Sequence, residues 1–144
     1  ATCVKLFDWI HSVDSLPLVR KIQKHAEEQG KVMNLLIQAN LSEEASKSGV
    51  ETFEELQHLA RAIEDSPSLR LRGLMTMAKQ GSSEEARSVF RKLAQWKERL
   101  AKEESLESTC TELSMGMTQD YPIALEEGAT FLRLGTLIFG KRPT

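Results

Sequence analysis

Val32-Met33-Asn34-Leu35-Leu36-Ile37-Gln38-Ala39 carries three successive branched aliphatic residues, Leu35, Leu36 and Ile37, and no charge along its length. A strand with one wet face alternates apolar with polar residues, whereas a strand covered on both faces, as in a parallel sheet, reads as an unbroken apolar run. The run stops at Asn40. Upstream, Leu18, Val19, Ile22 and Ala26 recur at helical spacing, Asp14 or Ser15 can cap that helix with Pro17 in its first turn, and Gly30 supplies its stop. Before it, Phe7 to Val13 is a compact apolar and aromatic strand candidate.

The alternation continues downstream. A polar segment, Ser42 to Gly49, leads into Glu51 to Asp65, where Phe53, Leu56, Ala60 and Ile63 form an amphipathic stripe that ends before Pro67. Leu69 to Met75 reads as a strand, and Ser82 with Glu85 has the spacing of a capping box. The helix behind it runs its stripe through Ala86, Val89, Phe90, Leu93, Trp96 and Leu100 and leaves Glu84, Arg91, Lys97 and Glu98 for water. Glu112 to Gly116 and Thr130 to Leu134 are the last strand candidates; between them Asp120 can cap a brief helix, Tyr121 to Glu127, that Gly128 ends. The reading is five strands, near residues 8–13, 34–40, 70–75, 112–116 and 131–134, each but the last followed by a helix.

Strands alternating with helices give an α/β fold with parallel pairing, either an open doubly wound sheet or a (β/α) barrel. A complete barrel needs eight strands and roughly 250 residues. The 144-residue chain therefore reads as a single domain, residues 1–144, that is at most part of a barrel.

Composition narrows the function. With 40% hydrophobic and 28% charged residues the chain is globular, and its 19 basic against 21 acidic side chains give a net charge of −2. That balance offers no basic excess for nucleic acid and no charge run for a membrane surface, so a small-molecule or protein partner is expected. Cys3 and Cys110 lack ligand spacing, which argues for a reducing compartment and against a zinc site. Ala1 to Ile10 lacks the pattern of a secretory signal, and cytoplasmic location is the default. His11, His25 and His58 share no spacing with acids or thiols, so neither a metal site nor a catalytic relay is indicated, and the latter two read as surface helix residues.

One ordered constellation is more specific: Ser114-Met115-Gly116-Met117-Thr118, Asp120, Ala124, Glu127-Gly128-Ala129-Thr130, Phe131-Leu132-Arg133-Leu134-Gly135-Thr136 and Ile138-Phe139-Gly140. It resembles the YggS/PROSC family of pyridoxal 5′-phosphate (PLP) homeostasis proteins, whose signature reads Ser-Met-Gly-Met-Ser, Ile-Glu-Glu-Gly and Val-Arg-Ile-Gly-Thr-Ala-Ile-Phe-Gly. Asn34 to Asn40, Ser46-Lys47-Ser48-Gly49 and Leu71-Arg72-Gly73-Leu74-Met75 match in the same order, so the resemblance spans nearly the whole chain. Thr118 for serine and Leu134 for isoleucine are mild departures.

The resemblance implies a partial (β/α)8 TIM barrel of the alanine-racemase type, PLP fold type III, covering about strands four to eight, with Ala1 to Leu6 the remnant of the third covering helix. It implies PLP binding without established catalysis, in vitamin B6 and amino-acid balance. The family's Schiff-base lysine and Phe-Gly-Glu-Asn motif lie upstream of anything matched here, so the cofactor is expected to bind non-covalently or weakly. A racemase- or decarboxylase-like enzyme would need that lysine and a second catalytic group; Tyr121, the sole tyrosine, stands at a helix start, while racemases draw theirs from a separate domain. A half-barrel without ligand function is the other alternative. In either partial-barrel reading, self-association or a complementary N-terminal fragment would cover the open edges.

Barrel sites lie at the C-terminal ends of strands, and phosphate often sits beyond strands seven and eight. The expected cofactor site is therefore Ser114, Gly116, Met117, Thr118, Arg133, Gly135 and Thr136: glycines for close backbone approach, hydroxyls to donate to phosphate oxygens, and Arg133, by the resemblance, beside the pyridine nitrogen. Lys47 would offer a secondary anion site, although an exposed loop lysine is more often a solvated charge. Met75, Met77, Met115 and Met117 cluster at strand ends, where filling the core is their ordinary role.

Overall fold

The structure, a computed structural model, describes residues 1–42 and 48–144. Its elements are α1 (Thr2–Leu6), β1 (Trp9–Val13), α2 (Leu16–Glu28), β2 (Met33–Gln38), α3 (Phe53–Glu64), β3 (Leu69–Met75), α4 (Ser83–Glu103), β4 (Glu112–Met117), α5 (Tyr121–Glu126), β5 (Phe131–Arg133) and α6 (Thr136–Phe139). The strands lie in the order β1-β2-β3-β4-β5, every pair parallel. This is the alternating α/β architecture that the unbroken run in β2 predicts: Leu35, Leu36 and Ile37 are all fully buried.

The sheet is strongly curved. In a flat sheet β1 and β5, four spacings apart, would be separated by about 19 Å. Instead Trp9 and His11 of β1 meet the Phe131 ring of β5 at centroid distances of 5.3 and 4.9 Å. Those side chains fill the hollow of an open half-barrel. On the other face one continuous core joins Val19, Ile22, Leu56, Ile63, Phe90 and Leu93 of the helices to Met33, Leu35, Leu71 and Leu113 of the strands.

Local chemistry sets the element ends. Ser15 stands at the N-cap of α2 but its side chain makes no capping hydrogen bond; Pro17 lies in the first turn, and Gly30, at φ +60°, follows the last turn. Ser82 and Glu85 form the expected capping box, and Thr52 with Glu55 forms a second one at α3. Asp120 stands at the N-cap of α5 but does not cap it; its carboxylate accepts the Met117 N–H at 2.7 Å. Trp96 is half-buried, edge-on to Phe53, and Lys97 is half-buried rather than left to water. Arg87 and Arg91 of α4 reach across to Glu127 at 3.0 and 2.9 Å, fastening α5 and holding the Glu127 carboxyl below the usual carboxylate range.

The expectation that no helix follows the last strand is corrected by α6. Its four residues, bracketed by Gly135 and Gly140, are barely more than one helical turn and can show no amphipathic repeat in sequence. At the other end, α1 supplies the helical turn expected of Ala1 to Leu6. Among the described residues no helix is long and apolar enough to cross a membrane.

Closeness between β3 and β4 depends on a glycine. A Cβ added to Gly73 would lie 1.9 Å from the Glu112 carbonyl oxygen, so a side chain there pushes the strands apart. Gly73→Ala should cost roughly 2–3 kcal/mol, as overpacking does, read from a urea unfolding midpoint; an unchanged midpoint would show that the strands can yield. Both outer strands are open, and Phe7, Leu137, Ile138 and Phe139 are 57%, 53%, 65% and 86% exposed. Unpaired edges flanked by apolar side chains template association. The polypeptide by itself is expected to self-associate in sedimentation experiments, and a monodisperse, cooperatively melting monomer is the contrary result.

Candidate functional site

The register between β4 and β5 slips between Ser114, which pairs with Phe131, and Met117, which pairs with Arg133: three steps on one strand face two on the other. Gly116 lies in this bulge with φ +101°, a left-handed conformation. A Cβ there would come within 2.7 Å of the Ala124 side chain and 2.9 Å of Leu132. Gly116 is thus required by packing against α5 and β5, rather than by open space beside it. The bulge turns the end of β4 so that Met117 and Thr118 face a cleft.

That cleft, about 830 Å³, lies at the C-terminal ends of β3, β4 and β5. Of the expected site residues, Met117, Thr118, Arg133, Gly135 and Thr136 line it, while Ser114 and Gly116 do not. Its charged side chains are three cations, Lys79, Arg133 and Arg142, against one carboxylate, Asp120, one oxygen of which accepts the Met117 N–H. The Met117 N–H is consequently not available to an anion. The Thr118 hydroxyl oxygen accepts the Leu137 N–H at 3.2 Å, which leaves its proton free to be donated toward the cleft. Thr136 is exposed, and no atom lies within 4 Å of where a Cβ on Gly135 would stand, so a ligand can approach that backbone closely.

Ser114 is fully buried beneath the cleft. Its hydroxyl oxygen lies 2.6 Å from Arg133 Nη1 and 2.9 Å from His11 Nδ1. The other terminal nitrogen, Arg133 Nη2, donates to the Thr76 carbonyl at 2.8 Å. Burial lowers the pKa of Arg133, opposed by the Asp120 carboxylate, and burial together with the Arg133 charge lowers that of His11. At neutral pH the pair is a guanidinium cation beside a neutral imidazole.

His11 and Thr76 escaped the sequence reading. Alternation along β1 puts Trp9 and His11 on one face, but β1 has its own slip between Ile10 and Val13, and only the curled sheet brings that face to Ser114. Of the other histidines, His58 is exposed and His25 is half-buried and bonded to Glu28. Met77 and Met117 line the cleft, whereas Met75 and Met115 are buried. Lys47 lies outside the described residues.

A site of two free hydroxyls, an unobstructed glycine and a cationic rim suits a phosphate monoester, and a half-buried arginine suits an acceptor atom on a flat ring held beside it. The donor set therefore fits the phosphate and ring-nitrogen ends of PLP.

Comparison with known proteins runs the same way. The description "Alanine racemase, N-terminal domain" matches residues 1–143. The pyridoxal phosphate homeostasis protein of Aquifex aeolicus is 40% identical over 134 residues, 92% of this chain and 58% of that protein. Its counterpart in Vibrio alginolyticus is 41% identical over 137 residues, 94% of this chain and 57% of that protein. The chain thus spans somewhat over half the length of these relatives. PipY of Synechococcus elongatus, solved without PLP, superposes with a TM-score of 0.88 at 34% identity, covering 96% of this chain and 64% of PipY. PipY with PLP bound superposes at 0.86, with 34% identity over 96% of this chain and 63% of PipY. With the fold, the signature segments and these relatives in agreement, the chain belongs to the alanine racemase N-terminal domain family, among its pyridoxal phosphate homeostasis (YggS/PROSC) members.

Proposed function

We propose that this chain is the C-terminal part of a PLP-binding (β/α)8 barrel, about strands four to eight, whose role is vitamin B6 and amino-acid homeostasis rather than catalysis. The observation that carries the reading is the convergence of Thr118, Arg133, Gly135 and Thr136 on one cationic cleft at the C-terminal strand ends. The Thr118 and Thr136 hydroxyls and the Gly135 backbone take the phosphate, the Met117 side chain forms the rim, and Ser114 and Gly116 act from beneath by holding Arg133 and shaping the bulge. PLP supplies an aldehyde and an electron-withdrawing pyridine ring. Arg133 keeps its proton, so beside the pyridine nitrogen it disfavours protonation of the ring and weakens it as an electron sink, which suits a carrier.

The family's cofactor lysine has no match within these 144 residues, and what they themselves offer PLP is phosphate contacts and Arg133, a non-covalent or weak hold. An enzymatic reading would need that lysine and a general acid or base at the cleft. Tyr121 is half-buried at the start of α5, with its Cα 3.3 Å from where a Cβ on Gly116 would stand, and does not line the cleft. The expected setting is the cytoplasm, with PLP or phosphate as ligand, no nucleic acid or membrane, and a complementary N-terminal segment or second copy along the open edges.

Amide and side-chain resonances followed during titration with inorganic phosphate and with PLP test the site. Shifts should localise to residues 117–118 and 133–137. Thr136→Val, which removes a donor to a charged group, should weaken both ligands by roughly 1.5–3 kcal/mol, and Arg133→Ala should weaken PLP more than phosphate. Shifts elsewhere, or variants that bind like the parent, would refute the assignment.

A further inference from the structure

We propose that His11 is a positioning residue that, acting through Ser114, holds the Arg133 guanidinium in its cleft-facing pose only while the imidazole is neutral. The proposal rests on the reading of Arg133 as a cofactor-facing group and adds a control on it.

The argument is one of donors and acceptors. A guanidinium has only donors, so at 2.6 Å the Ser114 oxygen must accept from Arg133 Nη1. The Ser114 hydroxyl then has one proton to place, and His11 Nδ1 stands 2.9 Å away. A neutral imidazole carrying its proton on Nε2 accepts it, which completes a chain running Arg133 to Ser114 to His11 with each group in its proper role. Donating toward His11 makes the serine oxygen a better acceptor for the guanidinium. Protonation of His11 reverses the last link: Nδ1 becomes a donor, the serine oxygen faces two cations, and its own proton loses its acceptor. Arg133 then shares the Ser114 oxygen with a second cation, and only its bond to the Thr76 carbonyl, at 2.8 Å, is unaffected.

The surroundings offer a protonated His11 no compensation. Arg133 faces it from β5, and Arg72 of β3 lies over the adjoining Trp9 ring at 5.6 Å. Lys21 and His25 of α2, Cys3 of α1 and the Ala1 terminus line a groove along the open edge of β1 that His11 also borders, and no carboxylate is among its lining residues. Asp120, the one carboxylate lining the cleft, acts on Arg133 from the cleft side and would draw a loosened guanidinium away from Ser114. The directions agree with this geometry: burial and the Arg133 charge lower the His11 pKa. Because the folded value lies below the ordinary 6.5, the intact chain contributes fully above 6.5 and is lost as pH falls through the depressed value.

Nitrogen-15 NMR of the unliganded chain decides the matter. His11 should be the Nε2–H tautomer near neutrality, and as pH falls the Arg133 side-chain signals should shift and exchange faster with the same midpoint as the His11 ring, below 6.5. In His11→Gln, which keeps an acceptor but cannot titrate, the Arg133 response should vanish. In Ser114→Ala, His11 should titrate with no response at Arg133. An Nδ1–H tautomer, or Arg133 signals that stay fixed while His11 titrates in the parent, would overturn the proposal. Binding separates it from the cofactor reading: Ser114→Ala should weaken PLP by about tenfold or more, the loss expected for a hydrogen bond to a charged group, and leave inorganic phosphate nearly unchanged. A parent that binds PLP at no pH refutes the cofactor reading, while the NMR midpoints still decide this one.

Discussion

A guanidinium group taken into the hollow of a parallel sheet must be met by acceptors, because a buried cation without them costs more than the packing around it returns. In this protein the acceptors come from separate strands. The Thr76 carbonyl follows β3, Ser114 belongs to β4, and His11 of β1 backs Ser114 from across the hollow. Arg133 itself sits at the end of β5, so one side chain ties four of the five strands together at the end where the cleft opens. Curvature of the sheet and the position of the arginine are thus one requirement: a flatter sheet would carry His11 out of reach of Ser114.

Two glycines make that curvature attainable. At Gly73 the backbones of β3 and β4 approach more closely than any side chain allows, and at Gly116 a bulge absorbs an extra residue so that the last turn of β4 faces the cleft. The ion pairs from Arg87 and Arg91 to Glu127 then hold α5 against the bulge. Interactions outside the hollow therefore control the aim of Thr118, which shares a hydrogen bond with α6 through the Leu137 N–H. The loops after β4 and β5 are braced against each other by this contact, while Arg133 is braced from below.

On the proposed reading, such a division would suit a protein that holds a reactive cofactor without using it. On that reading a phosphate grip of hydroxyl and backbone groups would tolerate many occupants, and an arginine at the far end of the ring would moderate the chemistry of what is held. PipY, similar over 96% of this chain, has been solved both with and without PLP, so the fold persists in either state of that relative.

Much of this was legible in the amino-acid order. Unbroken apolar runs such as Leu35-Leu36-Ile37 determine a parallel sheet because only burial on both faces tolerates them, and amphipathic stripes determine the covering helices. The signature segments placed Met117, Thr118, Arg133, Gly135 and Thr136 together, and all five line one cleft, since strand ends followed by glycine and hydroxyl residues converge wherever neighbouring parallel strands end. Other features depended on relations between strands that no linear pattern records. The role of Ser114 as a support for Arg133, the packing demand at Gly116 and the part played by His11 all follow from bulges in β1 and β4 and from curvature that brings β1 against β5. A bulge shifts every later side chain to the other face, so alternation predicts faces only up to the first slip. The sequence by itself determined which residues gather at the strand ends; the tertiary structure alone decided which of them line the cleft and which lie beneath it and hold the others in place.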